Sequence, residues 1–183
     1  MSVVRYASQK TYEGGALSCC SIALHWALAC IHEMCEPVCD TVSMKTIFET
    51  GVKFHIIVSG RLCTKMVRID EIIADFGMPR NTTTQEFYLY TSNDELDHVD
   101  ESGFVVHLRK FLTKMRPLTA VLITANSHTT ALFYDTQSKC YHFDSMPSSV
   151  TPLHNSQVMQ SVYKAHRMTD NAEAYAVILK KTN

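Results

Sequence analysis

The hydrophobic period of this chain changes at Pro117, and the switch separates a helical half from a sheet-forming half. Before it, Ile22, Ala23, Trp26, Ala27, Cys30 and Ile31 recur at helical spacing between positions 19 and 36, until Pro37 stops the run. That pattern predicts a mostly buried helix. A second helix is expected from Thr41 to about Phe54 and a short third over residues 68–76. A fourth is expected where Phe104, Val105, Leu108, Phe111, Leu112 and Met115 repeat, beyond the polar, acidic residues 91–102. After Pro117 the apolar runs become short and mostly rich in β-branched or aromatic residues: 118–124, 129–134, 140–143 and 174–179. These are strand signals, as are residues 84–91 and, more briefly, 2–8. Asp135 to Lys139 supplies a polar turn between two of the strands, and a helix over 158–167 precedes the last. The expectation is one α+β domain over residues 1–183, with N-terminal helices packed on a C-terminal, mostly antiparallel β-sheet.

Composition narrows the function classes. Hydrophobic residues make up 46% and charged residues 19% of 183, enough for an ordinary core without staples. Lys and Arg total 17 against 18 Asp and Glu, so nothing pulls the chain toward phosphate backbones or acidic membranes. Neither nucleic acid nor membrane is an expected partner, and no apolar run reaches membrane-spanning length. The first residues lack a signal-peptide pattern, and the seven cysteines form no regular framework. Free thiols in an intracellular, reducing compartment are expected, and the protein is not expected to be secreted.

Two of those thiols sit where chemistry can use them. Cys19 and Cys20 follow the turn-prone Tyr12-Glu-Gly-Gly15 and open the first helix, where the helix dipole favours a thiolate. A lone buried cysteine is more often a packing residue, so a base is needed beside it. His128 stands at the head of an apolar strand, and Asp144 closes the next one. In a hairpin of that length the two ends lie side by side, so Asp144 can orient the His128 imidazole. His142, two residues before Asp144 and on the same strand face, is the rival base. Adjacent residues on a helix lie about 100° apart, so only one of Cys19 and Cys20 can face the histidine, and Cys20 is the alternative nucleophile.

This order, Cys on an early helix, His at a strand start, Asp at the end of the next strand, is similar to the papain superfamily. Within it the chain resembles the ubiquitin-specific protease domain at the N-terminus of herpesvirus large tegument proteins. The likeness is carried by Ala7-Ser-Gln9, by Cys19 with its apolar helix, by Ile47-Phe-Glu-Thr-Gly51, by the segment from Arg116 to Ser127, by Tyr141-His-Phe-Asp-Ser145 and by the segment from Ala172 to Leu179. The family places Gln directly before the nucleophile and Asn three residues after it, where this chain has Ser18 and Ile22. It also takes its histidine from Asp-Pro-His, where this chain reads Asp144-Ser-Met146; His128, on the neighbouring strand, would be a relocated base.

The resemblance implies a papain-like fold and a cysteine protease that hydrolyses the Gly-Gly isopeptide at the C-terminus of ubiquitin or a ubiquitin-like protein. It favours Cys19 as the nucleophile, because Leu24 and Trp26 then fall where the family's helix is apolar. It makes Gln9 the oxyanion donor beside the nucleophile's own N–H. It requires no cofactor and no metal. It suits a piece of a larger viral protein, working in the host cytoplasm or nucleus or in the virion tegument. The competing readings are an inactive relative that binds ubiquitin or another protein, and a papain-like amidase or acyltransferase. A zinc site from Cys30, His32, Cys35 and Cys39 is disfavoured by spacing, with no second ligand pair downstream.

Overall fold

The computed structural model describes residues 4–5, 8–34, 36–90, 105–169 and 172–182. Cys35, Phe104 and the acidic stretch 91–102 lie outside them, as does most of the expected first strand.

Helix α1, Cys19–Ala29, is buried on nearly every side and continues into one π-helical stretch, Cys30–Met34, before Pro37. A helix apolar all round belongs inside a protein, and Trp26 shows why this one is central. Its ring stacks on Phe143 with centroids 5.0 Å apart, and its Nε1 donates to the carbonyl of Val38 at 3.1 Å. Helix α2, Thr41–Leu62, starts at Asp40, whose Oδ1 accepts from the Ser43 N–H at 2.8 Å. It runs past the expected end at Phe54 because the buried stripe Phe48, Val52, His55 and Val58 continues, with a histidine in a place that reads as polar. At the α1–α2 crossing Gly51 has no side chain to spare: a Cβ there would lie 2.7 Å from the Ile22 Cα. Helix α3 spans Ile69–Phe76.

Among the described residues eight strands form one sheet: β1 (Val4–Arg5), β2 (Thr82–Tyr90), β3 (Val105–His107), β4 (Thr119–Ala125), β5 (His128–Tyr134), β6 (Cys140–Asp144), β7 (Ser149–Leu153) and β8 (Glu173–Lys181). Their order is β1-β7-β6-β5-β4-β8-β2-β3. Only β2 and β3 run parallel; the other neighbours are antiparallel. The expected helix through residues 104–115 is therefore a correction: it is strand β3 followed by the short helix α4, Leu108–Leu112. β-Branched Val105 and Val106 favour extension, and the free edge of β2 gives them a ladder.

Alternation along the central strands builds a core on each face. Ala120, Leu122, Ala131, Phe133, Phe143 and Val177 meet α1 and α2. Val121, Ile123, Leu132 and Ile178 meet α4 and the helix α5, Asn155–His166. The result is three layers, helices on both sides of the sheet. No described helix is long and apolar enough to cross a membrane.

Candidate active site

The site begins with two turns. After Gln9 the chain makes a tight reversal through Gly14 (φ 74°) and Gly15, where any Cβ would overlap the Gln9 carbonyl oxygen. The reversal delivers Cys19 to the first turn of α1, with buried Gln9 alongside. The second turn is Asn126-Ser127, both residues left-handed (φ 50° and 59°), the two-residue connection that matches strand twist. It pairs Ala125 with His128 and so makes the histidine the first residue of β5.

The β5–β6 register pairs Ala131 with Phe143. Continued outward, it sets Asp144 opposite Thr130, with His128 diagonal to it on the same face. The diagonal is bridged: His128 Nε2 donates to Asp144 Oδ1 at 3.0 Å. The same oxygen accepts from the Met146 N–H at 2.9 Å. With Nε2 engaged, Nδ1 is the nitrogen left for Cys19, whose thiol lines the same cavity as the ring.

Electrostatics follows the geometry. Cys19 is held down to about 4, first by a hydrogen bond from Cys20 and, against the cost of burial, by the His128 imidazolium. Burial opposes charge on His128, but Asp144 and the Cys19 thiolate raise it to about 9. Burial likewise opposes charge on Asp144, yet its bond to His128 leaves it below the usual carboxylate range. These shifts favour a thiolate beside an imidazolium braced by a carboxylate at neutral pH, an arrangement that suits nucleophilic chemistry.

The rival residues go elsewhere. Cys20 Sγ lies 2.8 Å from Thr129 Oγ1, which lies 2.8 Å from Thr124 Oγ1. Its hydrogen bond to Cys19 and its burial push the Cys20 thiol well above the ordinary range. His142 projects toward α5, with Nδ1 2.6 Å from Ser161 Oγ, and burial lowers it to about 4. Gln9 is fully enclosed: Nε2 donates to the Ala16 carbonyl at 3.0 Å, and Ser145 Oγ donates to Oε1 at 2.6 Å. That fixes the amide and leaves one Nε2 hydrogen uncommitted.

One histidine outside the sequence-predicted site belongs here. His166, at the end of α5, has Nε2 2.9 Å from Thr130 Oγ1 and Nδ1 3.3 Å from the Ala125 carbonyl. Its ring centroid is 5.4 Å from that of His128. Burial, and then the positive His128, lower it to about 4, so it stays neutral beside the charged ring. Nothing in the local sequence separates it from an ordinary helix-end histidine.

Space opens on both sides of Cys19. A recess of about 290 Å³ between Leu17, Arg68, Tyr88 and Tyr175 reaches Cys19 but not His128. A wider cavity of about 820 Å³ reaches Gln9, Cys19, His128 and Asp144 together.

No protein-family model matches the sequence, and neither does any curated protein. Among solved structures the chain is similar to the ubiquitin-specific protease encoded by murine cytomegalovirus tegument protein M48, determined in complex with a ubiquitin-based suicide substrate. The TM-score is 0.75 over 98% of this chain and 85% of that one, at 18% sequence identity. The likeness is one of fold, and it agrees with the helices, sheet and strand order described above: the chain carries the papain-like α+β fold of that viral protease.

Proposed function

We propose that the protein is a cysteine-type deubiquitinating peptidase that hydrolyses the C-terminal Gly-Gly isopeptide of ubiquitin or a ubiquitin-like modifier. The observation that carries this reading is the His128–Asp144 hydrogen bond in the cavity that Cys19 also lines, set in a fold shared with a ubiquitin-specific protease. The Cys19 thiolate attacks the carbonyl carbon of the terminal glycine and forms the C–S bond. The charge moving onto oxygen is held by the N–H of Cys19 and the free Nε2 hydrogen of Gln9. His128 gives its proton to the lysine amine as the C–N bond breaks. Water then attacks the thioester, His128 takes its proton, and the modifier leaves with a free carboxylate while the thiolate is restored. The recess touching Cys19 but not His128 takes the acyl chain. On this reading residues 1–183 form one catalytic domain acting inside the cell, where such conjugates are made.

The test is covalent labelling by ubiquitin bearing a C-terminal electrophile. Wild type and Cys20→Ala become labelled, and Cys19→Ala does not. A wild-type protein that stays unlabelled, while a control thiol protease reacts, would overturn the reading.

A further inference from the structure

The side of the cleft that receives the leaving amine carries a charge pattern that the chemistry of bond cleavage does not require. The 820 Å³ cavity beside His128 adjoins a second, of about 610 Å³, with Thr151, Ser161 and Lys164 lining both. Together they make a groove that leaves His128 and runs between β7 and α5. Arg167 and Lys164 line its near part, and Lys139 and His154 its far part. Among the described residues the only carboxylate in either wall is Asp144, already neutralised by His128. The sequence reinforces this: between Asp144 and Asp170 there is no Asp or Glu at all. Lys164 and Arg167 are exposed, and neither has a carboxylate at ion-pair distance among the described residues.

Cleavage orients the groove. The acyl part stays on Cys19, so it occupies the recess that touches Cys19 alone; the amine departs beside the imidazole that protonates it, so the chain bearing that amine lies in the groove. We infer that this groove selects leaving chains whose lysine is flanked by acidic residues, with Lys164 and Arg167 as its specificity-determining side chains. The inference rests on the peptidase reading above. Partly exposed charges of one sign, uncompensated along a channel, attract the opposite sign most strongly at low ionic strength.

The experiment compares ubiquitin joined through its C-terminal glycine to the lysine side chain of three peptides, flanked by glutamates, serines or lysines, with ubiquitin aminocoumarin, which has no peptide leaving group. At low salt wild type cleaves the glutamate-flanked conjugate with a kcat/KM about tenfold above the lysine-flanked one, the scale of two exposed ion pairs. The ratio shrinks as salt is added. In the double variant Lys164→Glu, Arg167→Glu the preference reverses, a ratio independent of how much of the preparation is folded. Equal rates on the three conjugates by wild type that turns over the aminocoumarin substrate would overturn this inference alone. Failure on all four substrates would overturn the peptidase reading and this inference with it.

Discussion

His128 and Asp144 are not directly opposite each other in the β5–β6 ladder; they are a diagonal pair, two residues out of step, bridged by a 3.0 Å hydrogen bond. The diagonal lets a side chain at the start of one strand lean across to the end of the next, and turns one ring nitrogen away toward α1. Asp144 thereby fixes both the tautomer and the charge of the ring. Replacing it with Asn removes the negative charge that offsets the burial of the imidazolium. We expect Asp144→Asn to lower kcat on ubiquitin aminocoumarin by about a hundredfold. Its alkaline limb moves to lower pH than in wild type. A variant with a reduced rate but an unmoved limb would remove Asp144 from the site's electrostatics.

The charged pair sets the pH range of activity. Cys19 loses its proton at about 4 and His128 keeps its own until about 9. The competent form, thiolate with imidazolium, is populated between those limits. The profile of kcat/KM should rise through the first, hold a broad plateau and fall through the second. Measured on a small-leaving-group conjugate, a profile that instead rises through the ordinary thiol range near 8.5 would mean that the pair is not formed.

Cys20 is a neighbour that stabilises charge on the Cys19 sulfur. Thr124, Thr129 and Cys20 form a chain of hydrogen-bonding groups that ends at the Cys19 sulfur. Cys20→Ala removes the last donor and leaves the His128 contact. The variant should still be labelled by the ubiquitin electrophile, but its acid limb should shift to higher pH. The check is the pH dependence of the labelling rate in the two proteins; an unshifted limb would show that the donated hydrogen bond is without effect.

How much of this was readable beforehand depended on how local the signal was. The β5–β6 hairpin is legible because both strands are short apolar runs rich in β-branched or aromatic residues and Asp135 builds the turn, its Oδ1 accepting the N–H groups of Gln137 and Lys139 at 2.9 Å each. The pairing of His128 with Asp144 followed from that hairpin alone. Strand β7 went unread because Pro152 interrupts it. Among the described residues β1 pairs only with Ser149 and Val150, and a proline, lacking an N–H, suits such an outlying strand. Strand β3 reads as helix in the sequence because residues 104–112 satisfy a helical spacing by coincidence, and only the edge of β2, remote in sequence, decides between the two. His166 reaches the site through the packing of α5, anchored by Asn126 Nδ2 donating to the His166 carbonyl at 2.7 Å, a contact spanning 40 positions.

Buried neutral histidines make the protein sensitive to acid. His142 and His166 titrate at about 4 in the fold, chiefly because burial disfavours their charged forms. In the unfolded chain they titrate near 6.5. Between those values the unfolded state binds more protons, so stability is complete above about 6.5 and is lost as pH falls toward 4. Cys19, also lowered, has the same sign across that window. The loss should approach about 3 kcal/mol for each histidine. Urea denaturation at a series of pH values tests this: the midpoint falls in wild type, and falls less steeply in His142→Gln. Equal slopes would mean that His142 does not titrate with unfolding.

The crossing of α1 and α2 fixes where the nucleophile sits, and Gly51 sets how close the helices come. A methyl group at that position would stand 2.7 Å from both the Cα and the Cγ1 of Ile22, three residues along from Cys19. Backbone cannot yield as a flexible side-chain tip can, so Gly51→Ala should force the helices apart and destabilise the fold by about 1–3 kcal/mol, despite alanine's better helix propensity. Moving α1 also moves its first turn, so the loss should extend beyond stability. Under conditions where the variant is still folded, labelling by the ubiquitin electrophile should slow, whereas Gly60→Ala, in open space on the same helix, should match wild type in both measurements. A Gly51→Ala protein as stable and as reactive as the Gly60→Ala control would show that the helix crossing does not govern the position of Cys19.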